Sequence, residues 1–148
     1  MYLDRLHIAL VEDDEDDRMF FKDAIDEIQM KTNLLLFGNG QEFLDHILLP
    51  GQSLPHLVFL DLNMPIKNGI ECLEELRAQE RFKNLSIAIY STSSSDQDIE
   101  DTFIKGANIY INKPNDFNKL KSVISEVLKI NWQYHTSNLS RENFLLRV

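Results

Sequence analysis

A chain of 148 residues with 43% apolar side chains is the size of one ordinary domain and carries enough hydrocarbon for a proper core. Twenty-four acidic against fifteen basic residues leave a formal charge of -9, which repels nucleic acid phosphates and anionic membranes, so neither is an expected partner. No apolar run approaches the roughly 20 residues that span a bilayer, no cleavable apolar leader precedes the first strand, and a single cysteine, Cys72, allows no intrachain disulfide, so the expected compartment is the cytoplasm.

Leu6 to Val11 is a short apolar run that predicts a strand, and six carboxylates follow it without a break, Glu12-Asp13-Asp14-Glu15-Asp16-Asp17. Taken alone, such a run is surface decoration, because acids in the first turn of a helix interact favourably with its positive end. Phe20, Ala24, Ile25 and Ile28 then share a helical face. Asn33 to Phe37 predicts a second strand, with Phe43, His46 and Ile47 on the next helix. His56 to Leu60 predicts a third strand, followed by Ile70, Leu73 and Leu76 at helical spacing; Ser86 to Ser91 predicts a fourth, followed by Ile99, Phe103 and Ala107. Asn108 to Asn112 is the fifth, and a last helix from Asp116 carries Phe117, Leu120, Ile124, Val127 and Leu128 on one face.

Strands that are apolar on both faces and alternate with helices predict an α/β fold, a five-stranded parallel sheet covered on both sides and doubly wound. In such folds ligands bind beyond the carboxyl ends of the strands. The first strand ends in Glu12 and Asp13, the third in Asp61, the fourth in Ser91 and Thr92, and the fifth in Lys113-Pro114. Each has an ordinary explanation, as a helix cap, a turn residue or an exposed lysine. Their joint placement on one rim points to a site.

The residues on that rim resemble those of the receiver domain of two-component response regulators. The resemblance spans roughly residues 4 to 130 and is carried by Ala9-Leu10-Val11-Glu12-Asp13-Asp14, by Leu60-Asp61-Leu62-Asn63-Met64-Pro65-Ile66-Lys67-Asn68-Gly69, by Ile89-Tyr90-Ser91-Thr92-Ser93, and by Gly106-Ala107-Asn108-Ile109-Tyr110-Ile111-Asn112-Lys113-Pro114. It divides the chain into a receiver domain, 1–130, and a C-terminal extension, 131–148, and implies the flavodoxin-like strand order 2-1-3-4-5. It also implies a signalling switch that is a phosphoacceptor with at most autophosphatase activity, taking a phosphoryl group onto Asp61 from a sensor histidine kinase or phosphotransfer protein.

Two anions must meet in that transfer, and Mg²⁺ is the implied cofactor, since it prefers oxygen ligands and bridges carboxylates to phosphoryl oxygens. By the resemblance Asp13 and Asp61 bind it directly, the backbone carbonyl of Asn63 adds an oxygen, and Glu12 contributes directly or through water. Asp14 to Asp17 are left as solvated helix-starting acids. Lys113 and Ser91 are expected on the phosphoryl oxygens, with Lys113-Pro114 as a cis peptide. Tyr110 sits where the family has its switch aromatic; otherwise it is a half-buried strand residue with a wet hydroxyl. Glu12 departs from the commoner Asp by one methylene, and Ser91 from the commoner Thr by a methyl.

Two other functions fit parts of the pattern. A metal-dependent phosphohydrolase with a strand-end Asp nucleophile requires a second, titrating acid where this chain has Asn63. A phosphorylation-independent interaction module on the same fold needs none of the rim chemistry that this chain retains. Output is expected to pass through an unidentified downstream protein. In the extension, Trp132, Tyr134, Phe144, Leu145, Leu146 and Val148 are costly to leave in water, which predicts cover either from the domain itself or from a second copy, with a symmetric homodimer favoured.

Overall fold

The computed structural model describes residues 5–136 and 146–147. Its strands are β1 (Leu6–Val11), β2 (Thr32–Phe37), β3 (Leu57–Leu60), β4 (Ser86–Ser91), β5 (Ile109–Asn112) and β6 (Leu146–Arg147). The helices are α1 (Glu15–Glu27), α2 (Gly40–Ile47), α3 (Gly69–Arg77), α4 (Asp96–Ile104) and α5 (Phe117–Thr136). All strand pairs are parallel and the order is β2-β1-β3-β4-β5-β6, so the first five follow the expected 2-1-3-4-5. The sixth strand was not expected. It is two residues long and lies along β5, with Leu146 opposite Ile109 and Arg147 opposite Tyr110.

Parallel strands need crossovers, and the helices that provide them cover both faces. On one face Ala9, Val11, Val58, Leu60, Ile87 and Ile89 pack against Phe43, Leu44 and Ile47 of α2 and Cys72, Leu73 and Leu76 of α3. On the other, Leu10, Phe59, Tyr90 and Ile111 pack against Phe21, Ala24 and Ile25 of α1 and Leu120, Ile124 and Val127 of α5. β2 departs from the expectation of strands buried on both faces: Leu35 and Leu36 are 45% and 36% exposed, because β2 is an edge strand that the flanking helices cover only in part, at Leu34 and Phe37.

Helix faces differ from their predicted centres by about a residue. Phe21, not Phe20, is fully buried in α1, while Phe20 meets Phe117 edge-on at 5.5 Å along the seam between α1 and α5. His46 is only half-buried, against Phe37, and Leu44 takes its place in the core. α5 runs unbroken through residue 130, so the predicted extension begins as the last turns of this helix, with Asn131 buried and Trp132 packed on the α1/α5 core. Phe144, Leu145 and Val148 lie outside the described residues.

The loop between β3 and α3 is tightly constrained. Ile66 has φ 69, a left-handed conformation that is strained for a β-branched residue, and Lys67 N–H closes a tight turn onto Pro65 O at 2.7 Å. Asn68 then caps α3, accepting from Glu71 N–H while the Glu71 carboxylate accepts from Asn68 N–H, a reciprocal capping box. Gly69 follows, where an added Cβ would come closer to its surroundings than at any other described glycine, 2.2 Å from Asp61 O.

Candidate functional site

β1 and β3 are adjacent in the sheet and end at the same height, Val11 opposite Leu60, so Glu12 and Asp61 emerge side by side. Both are buried, Glu12 at 1% and Asp61 at 5% exposure, whereas Asp13 is exposed. Glu12, Asp13 and Asp61 each place a carboxylate oxygen within 4.8 Å of the others. The site therefore has two walls of buried carboxylate and an open side.

Lys113 reaches this group from the end of β5, anchored by its own N–H, which donates to Ser91 O at 2.7 Å. Its ammonium donates to Glu12 Oε1 and lies 3.3 Å from Asp17 Oδ2 and 3.8 Å from Asp61 Oδ2. The Tyr90 ring lies beneath, 5.1 Å from Nζ to centroid. The implied cis peptide is absent: Lys113-Pro114 is trans, as is every described peptide bond. Trans is the lower-energy form by about 0.5–1 kcal/mol for an X-Pro bond, and the lysine reaches the acids from it.

One ammonium among four carboxylates leaves the site strongly anionic, and the titration behaviour follows. Burial pushes the Glu12 carboxyl up to about 7; the hydrogen bond from Lys113 pulls against this, and the Asp61 charge adds to it. Asp61 is raised as well, first by burial, with Lys113 and a hydrogen bond with Glu12 opposing. For Lys113 burial favours the neutral form, but Glu12, Asp61 and Asp17 together outweigh it and hold the ammonium charged above its ordinary value.

The all-oxygen donor set fits a hard divalent cation and offers nothing to a soft one. An octahedral ion of the Mg²⁺ type places neighbouring ligand oxygens about 3 Å apart, so carboxylates spread over 4.8 Å can share one ion by closing inward or through its waters. Asn63, the fourth expected ligand, is exposed beside the site, and its N–H donates to Asp61 Oδ1 at 3.4 Å.

Ser91 lies at the end of β4, fully buried, its Oγ accepting from Ser93 N–H at 3.1 Å. Tyr110 is 1% exposed and its hydroxyl donates to Ser93 O at 2.8 Å, so it is not the half-buried, wet residue of the simpler expectation. Asn112 Nδ2 donates to the same carbonyl at 3.0 Å, and Ser93 Oγ donates to Asp98 at 2.5 Å. The loop after β4 is thus tied to β5 on one side and to α4 on the other.

The acid run divides much as expected, with one exception. Asp14 is the N-cap of α1, accepting from Asp17 N–H at 2.9 Å, and Glu15 and Asp16 are exposed in the first turn. Asp17, expected to be merely solvated, instead pairs with Lys113, 96 residues away in sequence. Arg18, also unanticipated, donates from Nη1 to Glu12 O at 2.7 Å and fixes the end of β1. Neither contact has a local sequence signal, since both depend on how α1 crosses the sheet.

The response regulator receiver domain pattern matches residues 8–125. The chain is 31% identical over 123 residues to the probable methanogenesis regulatory protein FilR2 of Methanothrix harundinacea, covering 81% of this chain and 79% of that one. It is 23% identical over 124 residues to the response regulator Rcp1 of Synechocystis, covering 81% and 84%. Among solved structures, the phosphorylated cyanobacterial phytochrome response regulator RcpA superposes with a TM-score of 0.78 at 24% identity, over 92% of this chain and 97% of that one. The Mn(2+)-bound form of Rcp1 gives 0.74 at 23% identity, over 82% and 91%. These two likenesses share the fold; the pattern match, together with the FilR2 similarity, goes further, and this chain belongs to the family of response regulator receiver domains.

Proposed function

We propose that the protein is a phosphorylation-dependent signalling switch in which Asp61 accepts a phosphoryl group from the phosphohistidine of a sensor kinase or phosphotransfer protein, with Mg²⁺ as cofactor. The observation that carries this is the meeting of Asp61 with Glu12, Asp13 and the Lys113 ammonium beyond the strand ends. An Asp61 carboxylate oxygen bonds to phosphorus as the P–N bond of the donor breaks, and the electron pair leaves with the imidazole. Glu12 and Asp13, with Asp61 and the Asn63 carbonyl, would hold the cation, which neutralises charge between the two anions. Lys113 pairs with one phosphoryl oxygen and the Ser91 hydroxyl donates to another, and both favour the modified state over the resting one.

Because the Tyr110 hydroxyl and Ser93 carbonyl are partners, drawing Ser91 toward a phosphoryl group pulls on a loop that Tyr110 also holds. That supports Tyr110 as the reporter of the switch to the face around β5. The setting is cytoplasmic. Uptake of labelled phosphate from a small phosphodonor, with and without Mg²⁺, tests the proposal: a phosphohydrolase would turn the donor over without retaining label, and a phosphorylation-independent module would do neither.

The cation site should be local, not diffuse. Asp13→Ala is expected to weaken Mg²⁺ binding by at least about tenfold, since even losing a group that only supports a metal ligand costs that much, whereas Asp16→Ala, one charge removed from the same run, changes it by less than about twofold. Equal losses in a titration would mean that the acidic run attracts the metal as a cloud.

The homodimer rests on the apolar residues of the extension. Trp132 and the Leu146–Arg147 strand have partners in their own chain, which weakens the need for a second copy. If the dimer exists, deleting residues 137–148, beyond the end of α5, converts a dimeric mass to a monomeric one in light scattering. A monomeric mass for both forms removes the dimer from the proposal.

A further inference from the structure

Lys113 is the one lysine at the site among the described residues, and in this structure it is turned toward α1. Its Nζ is closer to Asp17, at 3.3 Å, than to Asp61, at 3.8 Å, and its remaining short contact is Glu12. The Lys113 side chain is 10% exposed, Glu12 1% and Asp17 46%. Asp17 is thus the solvent-side partner that closes over the ammonium, above the Tyr90 ring.

The Asp17 carboxylate takes no part in capping α1, and its first-turn charge is shared with Glu15 and Asp16. The N-cap hydrogen bond uses the Asp17 backbone N–H, with Asp14 as acceptor, so the Asp17 carboxylate is free of capping duty. No other hydrogen bond of that carboxylate ties it to its own helix among the described residues. Its one described partner is the lysine that the phosphoryl group requires.

Resting on the phosphoacceptor reading, we propose that Asp17 is a positioning residue which holds Lys113 in a resting orientation and competes with the phosphoryl group on Asp61 for it. A cation held by Glu12 would take one anchor from the ammonium and would leave Asp17 as the carboxylate that keeps Lys113 from its phosphoryl partner. A ligand shifts an equilibrium only by its differential affinity for the two states, so stabilising the resting lysine lowers the fraction of molecules ready to accept phosphate. A hollow lined by Asp16, Asp17, Phe20, Tyr90, Thr92 and Lys113 provides the room in which the lysine moves between the two.

Asp16 supplies the control, because it has the same charge in the same helical turn and borders the same hollow, yet is exposed and makes no described ion pair with Lys113. Asp17→Asn is expected to raise the rate of phosphorylation by acetyl phosphate about three- to fivefold, the scale of a half-exposed ion pair, and Asp16→Asn by less than about 1.5-fold. Asp17→Glu, which keeps the charge and extends the reach by one methylene, should stay within about twofold of wild type. A second readout needs no metal or phosphate: the side-chain carbon-proton NMR signal of the Lys113 ε-methylene, identified by its loss in Lys113→Arg, should shift in Asp17→Asn and not in Asp16→Asn. Equal acceleration in both Asn variants, an unchanged or slower rate in Asp17→Asn, or an unmoved Lys113 signal overturns the proposal. If the wild-type protein takes up no phosphate, the phosphoacceptor reading fails, and the NMR signal still decides whether Asp17 holds Lys113.

Discussion

Asp61→Asn is expected to reduce covalent phosphate uptake to background while leaving the protein folded. An amide nitrogen or oxygen is not a competent nucleophile toward phosphorus at neutral pH, whereas a carboxylate is, so the loss should be complete and not graded. The fold has reason to tolerate the change. Asn is nearly isosteric with Asp, can still accept from Asn63 N–H, and removes one of the buried negative charges crowded around a single ammonium. The sign of the stability effect follows from linkage. Burial raises the Asp61 carboxyl above its ordinary 3.8 and Glu12 from 4.5 to about 7, so the folded state binds these protons more tightly than the unfolded chain. Stability without metal therefore falls as pH rises from about 4 through 7, and a neutral side chain at 61 escapes its share of that loss. Metal-free Asp61→Asn should melt at or above the wild-type temperature at pH 8, and added Mg²⁺ should raise its melting point less than it raises that of wild type. Label retained on Asp61→Asn would falsify the assignment of the acceptor.

Much of this architecture was legible because it rests on local patterns. β1 and β4 begin and end where their apolar runs do, and α1 starts at the acids that follow β1, with the Asp14 side chain accepting from Asp17 N–H. The rim was legible for the same reason, since in a parallel sheet the strand ends lie on one side whatever the remaining details. What escaped was set by partners far away in sequence. The Phe20/Phe21 exchange depends on the angle at which α1 meets α5, which periodicity does not encode. The exposure of Leu35 and Leu36 depends on β2 being an edge, a property of strand order. Arg77 is a further case: a residue in the last turn of α3 donates to Phe82 O, Leu85 O, Gly106 O and Asn108 Oδ1, and so ties α3 to the start of β4 and to the turn before β5. Its sequence context is that of any helix-ending arginine. The pairing of Asp17 with Lys113 belongs in the same class.

Gly69→Ala is expected to destabilise the protein by about 3 kcal/mol, the upper range for forcing a methyl group into packed surroundings, and to weaken the cation site in whatever fraction remains folded. In an ordinary helix the exchange would help by up to about 1 kcal/mol, because glycine loses more backbone entropy on folding than alanine. Here the geometry reverses the sign. A Cβ on Gly69 would stand 2.2 Å from Asp61 O and 2.7 Å from Leu62 Cα, and both are backbone atoms with no rotamer through which to retreat. Gly69 N–H donates to Leu62 O at 3.0 Å, so the first turn of α3 lies directly on the chain that carries the acceptor. Relief requires either lifting α3 away from β3, which opens the Cys72, Leu73 and Leu76 packing, or displacing Asp61 from Glu12 and Asp13. The comparison is Gly38→Ala, where the nearest atoms to a new Cβ are the ends of the flexible Glu42 and Arg18 side chains, at 3.4 and 3.8 Å. That substitution should change stability by no more than about 0.5 kcal/mol. Denaturant unfolding of the two variants, with Mg²⁺ titration of each at a temperature where it is folded, checks both parts. A Gly69→Ala protein as stable as Gly38→Ala would show that α3 can give way there at little cost. The close approach would then have no part in placing Asp61.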